Sequence, residues 1–533
     1  MKSSEVRKTF LQYFEKHGHP ILPSSPVVPH GDDTLLFTNA GMVQFKDYFT
    51  GASAAPETPR ATTVQKCIRA GGKHNDLDNV GYTTRHLTFF EMLGNFSFGD
   101  YFKKEAIAFA WELVTEGFGI DPSQLWVTVY NDDDEAHQLW QDVAGVSEKR
   151  IARLGEKDNF WSMGDVGPCG PCSEILLDRG EKYGEQDFDN GERFFEIWNL
   201  VFMQYEQSKG GARAPLPRPS IDTGMGLERL AIIKQGVDTV FETDVLRTII
   251  AHIEELSGVK YDAGKAGVPH RVLADHARSL VFCLADGAEI SNLGRGYVVR
   301  RILRRAARYG RKIYDKGPIL HQLVKTVIDE MGEAYPEIVK NREFITKQVE
   351  NEENRFGVTL DRGIEIFDGI AKDLKESGDT TVSGEQAFKL HGTYGFPFDL
   401  VQRMSDEAGL EVDEEGYRKA LKDAQEISRA GGMPSVASSA EGAARLEALP
   451  ETDFVGYSSV SSGAELQDAY EHDGAWHLVL SQTPFYAESG GQIGDAGIIT
   501  SDDFRLAVRD TQKSNGRFVH TCDSAISRAV ESL

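Results

Sequence analysis

The chain of 533 residues has 40% hydrophobic and 26% charged residues, values typical of a soluble globular protein, and its length predicts about three to four domains. No apolar run is long enough to cross a bilayer, and the N-terminal segment lacks the apolar core of a signal peptide, so a cytoplasmic protein is expected. Five cysteines argue against a disulfide framework, and a net charge of −25 means that any nucleic-acid binding depends on a local basic patch.

The N-terminal elements are predicted to be a helix, an extended segment and a short strand. Apolar residues at helical spacing indicate a helix over residues 6–17, which Gly18 ends. Four prolines between positions 20 and 29 predict extended backbone. The segment 35–49, LLFTNAGMVQFKDYF, is typical of a short strand followed by a turn.

Residues 59–103 predict a β-hairpin with arms at 62–68 and 87–98 and a long polar loop between them. Loops of this length are usually functional. The loop combines cations, ring nitrogens and glycines, which suits a polyanion. Arg69 lies where the strand passes into the loop, and Asp76, Arg85 and His86 follow within it. A solvated hairpin tip remains the alternative.

Polar residues also interrupt apolar segments further along the chain. A helix is predicted at 105–116 and a strand at 124–130, whereas 158–173 is too rich in glycine and proline for regular structure. Residues 195–205, FEIWNLVFMQY, indicate a buried strand in which Glu196 and Asn199 need polar partners. Those partners could be neighbouring backbone groups or a ligand.

A strand that leads through glycines into a helix is predicted at residues 216–235. A short strand is predicted at 220–223, with Asp222 at the end of its buried part, and a helix begins near Leu227. This arrangement is a ready anion site, and Arg229 lies in the first helical turn. Asp222 would be available to a cationic group.

Helical patterns dominate from about residue 243 to residue 449. They fall at 244–257, 270–286, 297–314, 320–331, 341–376 and 414–430. One of them is a basic stripe without acids between Arg295 and Lys312, and its spacing fits a phosphate backbone. Pairing of these arginines with acids on adjacent helices is the alternative.

The C-terminal part reads as a linker followed by short strands. Residues 430–444 are small, polar and glycine-rich, and strands are predicted at 476–481, 496–500, 504–510 and 517–521. These strands predict a small β-barrel or sandwich.

Metal and redox chemistry find little support in the sequence. Cys169 and Cys172 form a CxxC pair without a surrounding βαβ pattern, and the other three cysteines are isolated. No two histidines stand four residues apart, so an HxxxH zinc motif is absent from this sequence.

Taken together, the motifs resemble the alanyl-tRNA synthetase family of class II aminoacyl-tRNA synthetases. The matching segments span nearly the whole chain and include TNAGMVQFKDYF, the hairpin, GDVGPCGPCSE, EIWNLVFMQY, DTGMGLERL, RGYVVRRILRRAARYG, TYGFPFDL and TPFYAESGGQIGD. The resemblance implies an α+β fold: an antiparallel sheet with flanking helices, then a mostly helical tRNA-recognition domain and a small β-barrel. It divides the chain into a catalytic domain at 1–242, an acceptor-stem domain at 243–449 and the leading part of an editing region at 450–533.

The same resemblance implies roles for particular residues. Arg69, Arg229 and Asp222 would be catalytic. The ATP-binding residues would be Arg69, Asp76, Arg85, His86, Phe90 and Arg229. The alanine-binding residues would be Arg69, Trp161, Asn199, Val201, Asp222 and Gly224. The tRNA acceptor stem would contact Asn292, Arg300, Arg301, Arg304 and Arg308.

The activity implied is ATP- and Mg²⁺-dependent activation of L-alanine and its transfer to tRNA(Ala). Glu196 is a candidate Mg²⁺ ligand. Two departures from the family are expected to matter. The chain ends before the family's editing zinc site, so we expect no zinc, no competent editing and a monomer. Gly392 stands where family members usually carry an aspartate that helps to read the acceptor stem. A non-catalytic tRNA-binding paralogue and, from the CxxC pair alone, a thiol oxidoreductase remain alternatives.

Overall fold

The computed structural model describes residues 1–522 except 30–34, 55, 72–73, 165, 189–190, 432–444, 447, 457–458, 473–474, 488–493, 502–504 and 515. The described chain forms two compact units, Met1–Ile364 and Glu365–Leu533. Most of the predicted linker and the centre of the TPFYAESGGQIGD motif lie outside the described residues. The division into three domains therefore stays a prediction.

The first unit is built on a mainly antiparallel sheet. Its strands are β1 (Arg60–Ile68), β4 (Phe89–Ser97), β5 (Leu125–Tyr130), β6 (Ile151–Leu154), β7 (Phe160–Ser162), β8 (Gly167–Asp178), β9 (Phe194–Gln207) and β10 (Arg213–Gly226). The order is β1-β4-β10-β9-β8-β5-β6, with β7 paired to β8, and β5 and β6 form the parallel pair. Two short strands, β2 (Ala70–Gly71) and β3 (His74–Asn75), form a hairpin of their own. This architecture confirms the predicted antiparallel sheet.

Helices flank this sheet and extend the first unit. They are α1 (Ser3–Lys16), α2 (Lys46–Thr50), α3 (Lys103–Glu112), α4 (Asp134–Asp142), α5 (Glu156–Asn159), α6 (Leu227–Gln235), α7 (Asp244–Ser257), α8 (Val268–Ala285), α9 (Gly294–Arg311), α10 (Leu320–Met331), α11 (Pro336–Lys340) and the start of α12 (Arg342–Ser377). Within the described part of the chain, no helix is both long and apolar enough to span a membrane.

The two faces of the sheet are covered differently. One face packs against the apolar sides of α1, α3 and α4, where Phe10, Phe14 and Trp140 are fully buried. The opposite face packs against the segment Gly41–Thr50 through Phe45 and Phe49. Because side chains alternate along a strand, β1, β4, β8, β9 and β10 contribute residues to both cores.

Two sequence-based expectations were wrong. The segment 35–49 was predicted to be a short strand followed by a turn, but residues 35–40 form no strand, and a 3₁₀ turn, Gly41–Phe45, and α2 follow them. The segment predicted as irregular contains β7 and the start of β8. Gly170 and Pro171 are accommodated there because the β8–β9 register shifts between Cys169 and Cys172, so neither residue has to continue the ladder with β9.

The second unit begins within α12 and continues with short helices and sheets. Its elements are β11 (Thr381–Val382), α13 (Gly384–Phe388), α14 (Phe398–Ala408), β12 (Glu411–Val412), α15 (Glu414–Gly431), β13 (Asp453–Phe454), β14 (Leu466–His472), β15 (Ala475–Leu480), β16 (Gln482–Thr483), β17 (Gly497–Thr500), β18 (Arg505–Ser514) and β19 (Arg517–Cys522). An antiparallel sheet of order β14-β15-β19-β18-β17 occupies the region of the predicted β-barrel.

Candidate active site

A cavity of about 380 Å³ opens on the sheet of the first unit. This volume is in the range of small-molecule sites. Every residue predicted to be catalytic, ATP-binding or alanine-binding lines it, namely Arg69, Asp76, Arg85, His86, Phe90, Trp161, Asn199, Val201, Asp222, Gly224 and Arg229. The hairpin, β9 and the β10–α6 junction, which are far apart in sequence, therefore meet at one place.

Strand alternation selects the side chains that reach the cavity. Asp222 on β10 lies opposite Val201 on β9, and Gly224 lies opposite Asn199. Their immediate neighbours Leu200 and Ile221 point into the other core. We call the surface formed by residues 199, 201, 222 and 224 the cavity face of the sheet.

A β-bulge brings Glu196 to the same cavity. Glu196 and Asn199 are three residues apart, so a regular strand would send them to opposite faces. On β8, however, Ile175 pairs with Trp198 while the next residue, Leu176, pairs with Glu196. The extra residue on β9 reverses the alternation, and both Glu196 and Asn199 line the cavity.

Arg229 and Glu196 form an ion pair across the cavity wall between the Nη1 and Oε2 atoms. Burial opposes ionisation of Glu196, but the charge and hydrogen bond of Arg229 outweigh it, so the pKa of Glu196 is lowered. Glu196 is therefore an anion at neutral pH, and Arg229 remains a cation. The position of Arg229 in the first turn of α6 agrees with the sequence prediction.

Asp222 is the acid of the site with the most unusual environment. It is 4% exposed, and its Oδ1 atom has no hydrogen-bond partner among the described residues. Burial raises the pKa of Asp222 from 3.8 to about 7. An unpaired buried carboxyl on the wall of a cavity is suited to a cationic ligand group, which would supply the missing partner.

The hairpin loop is anchored to the helices of the same unit. Leu77 and Val80 are fully buried, and the Arg271 Nε atom donates to the Gly81 carbonyl at 2.8 Å. Gly81 has φ of +91°, and a Cβ there would lie 2.8 Å from Val272 on α8. Residues 76–81 of the loop therefore pack on α8, which favours a structured loop over the solvated tip that the sequence left open.

The cationic and aromatic residues of the hairpin surround the outer part of the cavity. The Arg69 guanidinium lies 5.0 Å from the centre of the Phe90 ring, and its Nε atom donates to the Asn39 carbonyl at 3.2 Å. Arg85 pairs with Glu192 at 3.2 Å. Burial lowers the pKa of His86 below 6.5, with the charges of Arg229 and Arg85 acting in the same direction.

We call the part of the cavity that is lined by Trp161, Val201, Asp222 and Gly224 its inner end. Val201 belongs to the apolar cluster on this side of the sheet, and Trp161 packs against the same cluster. A Cβ at position 224 would lie 2.9 Å from the Met92 sulfur, so glycine at this position avoids a clash with the Met92 side chain. Asn199 donates from Nδ2 to the Glu174 Oε1 atom at 3.1 Å.

Sequence reasoning missed several lining residues, among them Glu174, Lys157, Met92 and Glu228. Glu174 directly follows the segment 158–173 that was expected to be irregular, so the strand β8 that carries it was not predicted. The signal available in the sequence was a charged residue between the buried Ser173 and Ile175. Glu228 accepts from Arg278 at 2.8 Å and from the Glu91 backbone N–H at 3.1 Å, so it ties α6 to α8 and β4.

The predicted tRNA-contact residues on α9 are mostly paired or buried. Arg300 and Arg304 share Glu352 of α12 at 3.0 and 3.3 Å, and Arg301 pairs with Asp78 at 3.4 Å. Arg308 is 3% exposed. Asn292, by contrast, lies on the surface before α9 and accepts from Arg300. Pairing with neighbouring acids, the alternative left open by the sequence, is therefore present, and the tRNA contacts stay a prediction.

The cysteine pair does not form a thiol redox site. Both Cys169 and Cys172 are buried in β8, and burial raises the pKa of the Cys172 thiol well above 9.0. A buried thiol held protonated is a poor nucleophile. Across the residues that the structure covers, no group of three or more His, Cys, Asp or Glu side chains is arranged to hold a metal ion.

Comparison with known proteins identifies the relatives of this chain. The family model described as "tRNA synthetases class II (A)" matches residues 5–530. The protein named alanine–tRNA ligase of Rhizobium johnstonii is 51% identical over 535 residues, which cover 97% of this chain and 60% of that protein. The protein of the same name from Hyphomonas neptunium is 52% identical over 531 residues, covering 96% and 60%.

The chain spans about 60% of the length of these curated relatives. Among solved structures, apo histidyl-tRNA synthetase of S. aureus is 9% identical and covers 48% of this chain and 75% of its own, with a TM-score of 0.27. The assignment to a family therefore depends on the family model and the sequence relatives.

Proposed function

Because this chain belongs to the class II tRNA synthetase family, we propose that it activates L-alanine with ATP and transfers the alanyl group to the 3′ end of tRNA(Ala). The names of its relatives, at about half identity over nearly the whole chain, support alanine as the substrate. The observation that carries the proposal is the convergence of Arg69, Arg229 and Asp222 on one cavity.

In the first step, an oxygen of the alanine carboxylate attacks the α-phosphorus of ATP, and pyrophosphate leaves. Arg69 and Arg229 stabilise the negative charge that develops on the phosphoryl oxygens. Phe90 offers a ring face for the adenine, while Arg85 and His86 lie where they can contact the outer phosphates. The catalytic contribution of the protein is positioning and charge stabilisation, without a covalent protein intermediate.

The alanine is held at the inner end of the cavity. Asp222 pairs with the α-ammonium group, which supplies the partner that its carboxyl lacks. We infer that Trp161, Val201 and Gly224, which line the cavity, limit the space for the side chain to about a methyl group. A pocket of this kind discriminates only modestly against glycine and serine, since one methylene or hydroxyl changes binding by about 1–3 kcal/mol.

The residues also fit the Mg²⁺ ion that accompanies ATP. Magnesium is usually held by one or two carboxylates together with substrate phosphates. Glu196 is an ionised carboxylate on the cavity wall, and Asp76 is a second acid in the lining of the same cavity. When bound, the ion would neutralise charge on the phosphate oxygens.

In the second step, the terminal ribose hydroxyl of tRNA attacks the carbonyl carbon of alanyl-adenylate, and AMP leaves. The exposed Asn292 is the predicted residue best placed to meet the shallow groove of an acceptor stem. A monomeric, cytoplasmic translation enzyme is part of this proposal and stays a prediction.

The decisive experiment is alanine-dependent exchange between ATP and labelled pyrophosphate. We expect exchange with L-alanine, weaker exchange with glycine and serine, and none with a large amino acid such as leucine. Arg69→Ala should remove exchange, whereas Arg153→Ala, an exposed arginine paired with Asp134, should retain it. Wild-type protein that binds ATP but shows no alanine-dependent exchange would contradict the proposal.

A further inference from the structure

Two unpaired acceptor oxygens lie on the cavity face. They are Oδ1 of Asp222 and Oδ1 of Asn199, both buried and without a hydrogen-bond partner among the described residues. Gly224 lies opposite Asn199, so Asp222 and Asn199 are diagonal neighbours on adjacent strands. Such diagonal positions are close enough for two side chains to contact one small ligand group.

The orientation of the Asn199 amide is set by a third residue. Glu174 on β8 lies directly opposite Asn199 on β9, and its Oε1 atom accepts the Nδ2 hydrogen bond at 3.1 Å. An amide has a donor end and an acceptor end. With the donor end held by Glu174, the acceptor end is the one left without a protein partner.

We propose that Glu174 is a positioning and specificity residue for the amino-acid substrate: it fixes the Asn199 amide so that Oδ1 joins Asp222 as a second acceptor for the α-ammonium group. This inference rests on the proposed function. Glu174 acts through Asn199 and does not itself bind the substrate. A primary ammonium has three N–H donors, so two converging oxygens favour it over an uncharged or N-substituted amine.

The environment of Glu174 disfavours its charged form. Burial raises the pKa of Glu174 well above 4.5, and the neighbouring charge of Glu196 adds to this shift. A neutral carboxyl still accepts the Asn199 hydrogen bond through its carbonyl oxygen. Glutamine, which is neutral and carries the same carbonyl acceptor, should therefore replace glutamate well.

The test compares steady-state exchange kinetics of Glu174→Ala and Glu174→Gln, with alanine and ATP varied separately. We expect the alanine KM of Glu174→Ala to rise about tenfold, as for loss of one hydrogen bond to an ionic group, while the ATP KM stays within about twofold. Glu174→Gln should stay within about threefold of the wild-type alanine KM. Glu206→Ala, an exposed glutamate on β9, is the matched control and should leave both constants unchanged.

A double-mutant cycle separates positioning from general support of the fold. If Glu174 acts through Asn199, adding Glu174→Ala to an Asn199→Ala variant should change the alanine KM by less than about twofold. Independent tenfold effects, or a Glu174→Gln variant as impaired as Glu174→Ala, would overturn the inference. An unchanged alanine KM in Glu174→Ala would overturn the inference too. Each of these three results leaves the proposed function intact. Absence of exchange in the wild-type protein would overturn both the inference and the proposed function.

Discussion

The buried Asp222 carboxyl should make the stability of this protein depend on pH in a way that one substitution removes. Its pKa is about 7 in the folded chain, against 3.8 for an unperturbed aspartate. Between these values the unfolded chain has released the proton while the folded chain keeps it, so stability falls as pH rises from about 4 to about 7. Above pH 7 the cost of the buried charge is fully present and amounts to about 4 kcal/mol.

Asp222→Asn is expected to relieve this cost because the amide carries no charge at any pH. The gain in the free energy of unfolding should be about 3 kcal/mol larger at pH 8 than at pH 5, since most of the titration lies between these values. The difference between the two pH values is the informative quantity, because pH-independent packing effects of the new amide cancel in it.

The assay is urea unfolding at pH 5 and pH 8 without ligands, with exchange activity measured on the same preparations. We expect Asp222→Asn to be more stable at pH 8 and nearly inactive, a gain in stability at the expense of function. Glu206→Gln, on the exposed side of β9, serves as the control and should show no such pH dependence. An Asp222→Asn variant with the same stability change at both pH values would refute the assignment of a buried, proton-binding carboxyl.

Three further predictions concern the substrate, the strand β8 and the basic helix. The value of kcat/KM for alanine should fall about tenfold per unit below pH 7, because the α-ammonium needs ionised Asp222; a flat profile from pH 5.5 to 7.5 would contradict this. Gly170→Ala should lower the free energy of unfolding by about 3 kcal/mol, because its Cβ would lie 2.0 Å from the Phe202 carbonyl oxygen. The control Gly369→Ala has open space around the new Cβ in α12 and should raise the free energy of unfolding by up to about 1 kcal/mol. Equal thermal unfolding midpoints for the two variants would refute the predicted clash at Gly170. Arg304→Gln should reduce the affinity for tRNA and lower the slope of log affinity against log salt concentration by about 1, while ATP–pyrophosphate exchange stays unchanged. Loss of exchange as well as tRNA affinity would indicate a structural role for the ion pair of Arg304 with Glu352.

Much of the site could be predicted from sequence because short-range patterns encode it. The polar content of the hairpin loop, the polar residues Glu196 and Asn199 within the apolar segment FEIWNLVFMQY, and the strand–glycine–helix junction each pointed to residues that line the cavity. The resemblance to a family supplied the roles of these residues. The cavity is consistent with those roles, and the proposed experiments test them. The basic helix shows the limit of such reasoning, since its arginines have neighbouring acids that no local pattern reveals.

The sequence by itself determined the residue types of the site and the strands that carry most of them, β1, β4, β9 and β10, but not β7 or β8. Only the tertiary structure decided which side chains share a face, because that depends on register with neighbouring strands. Glu196 and Asn199 meet in one cavity through a bulge that β8 imposes on β9, and Glu174 reaches Asn199 through the same pairing. The raised pKa of Asp222 has the same origin, because desolvation comes from packing of segments distant in sequence and not from any neighbour along the chain.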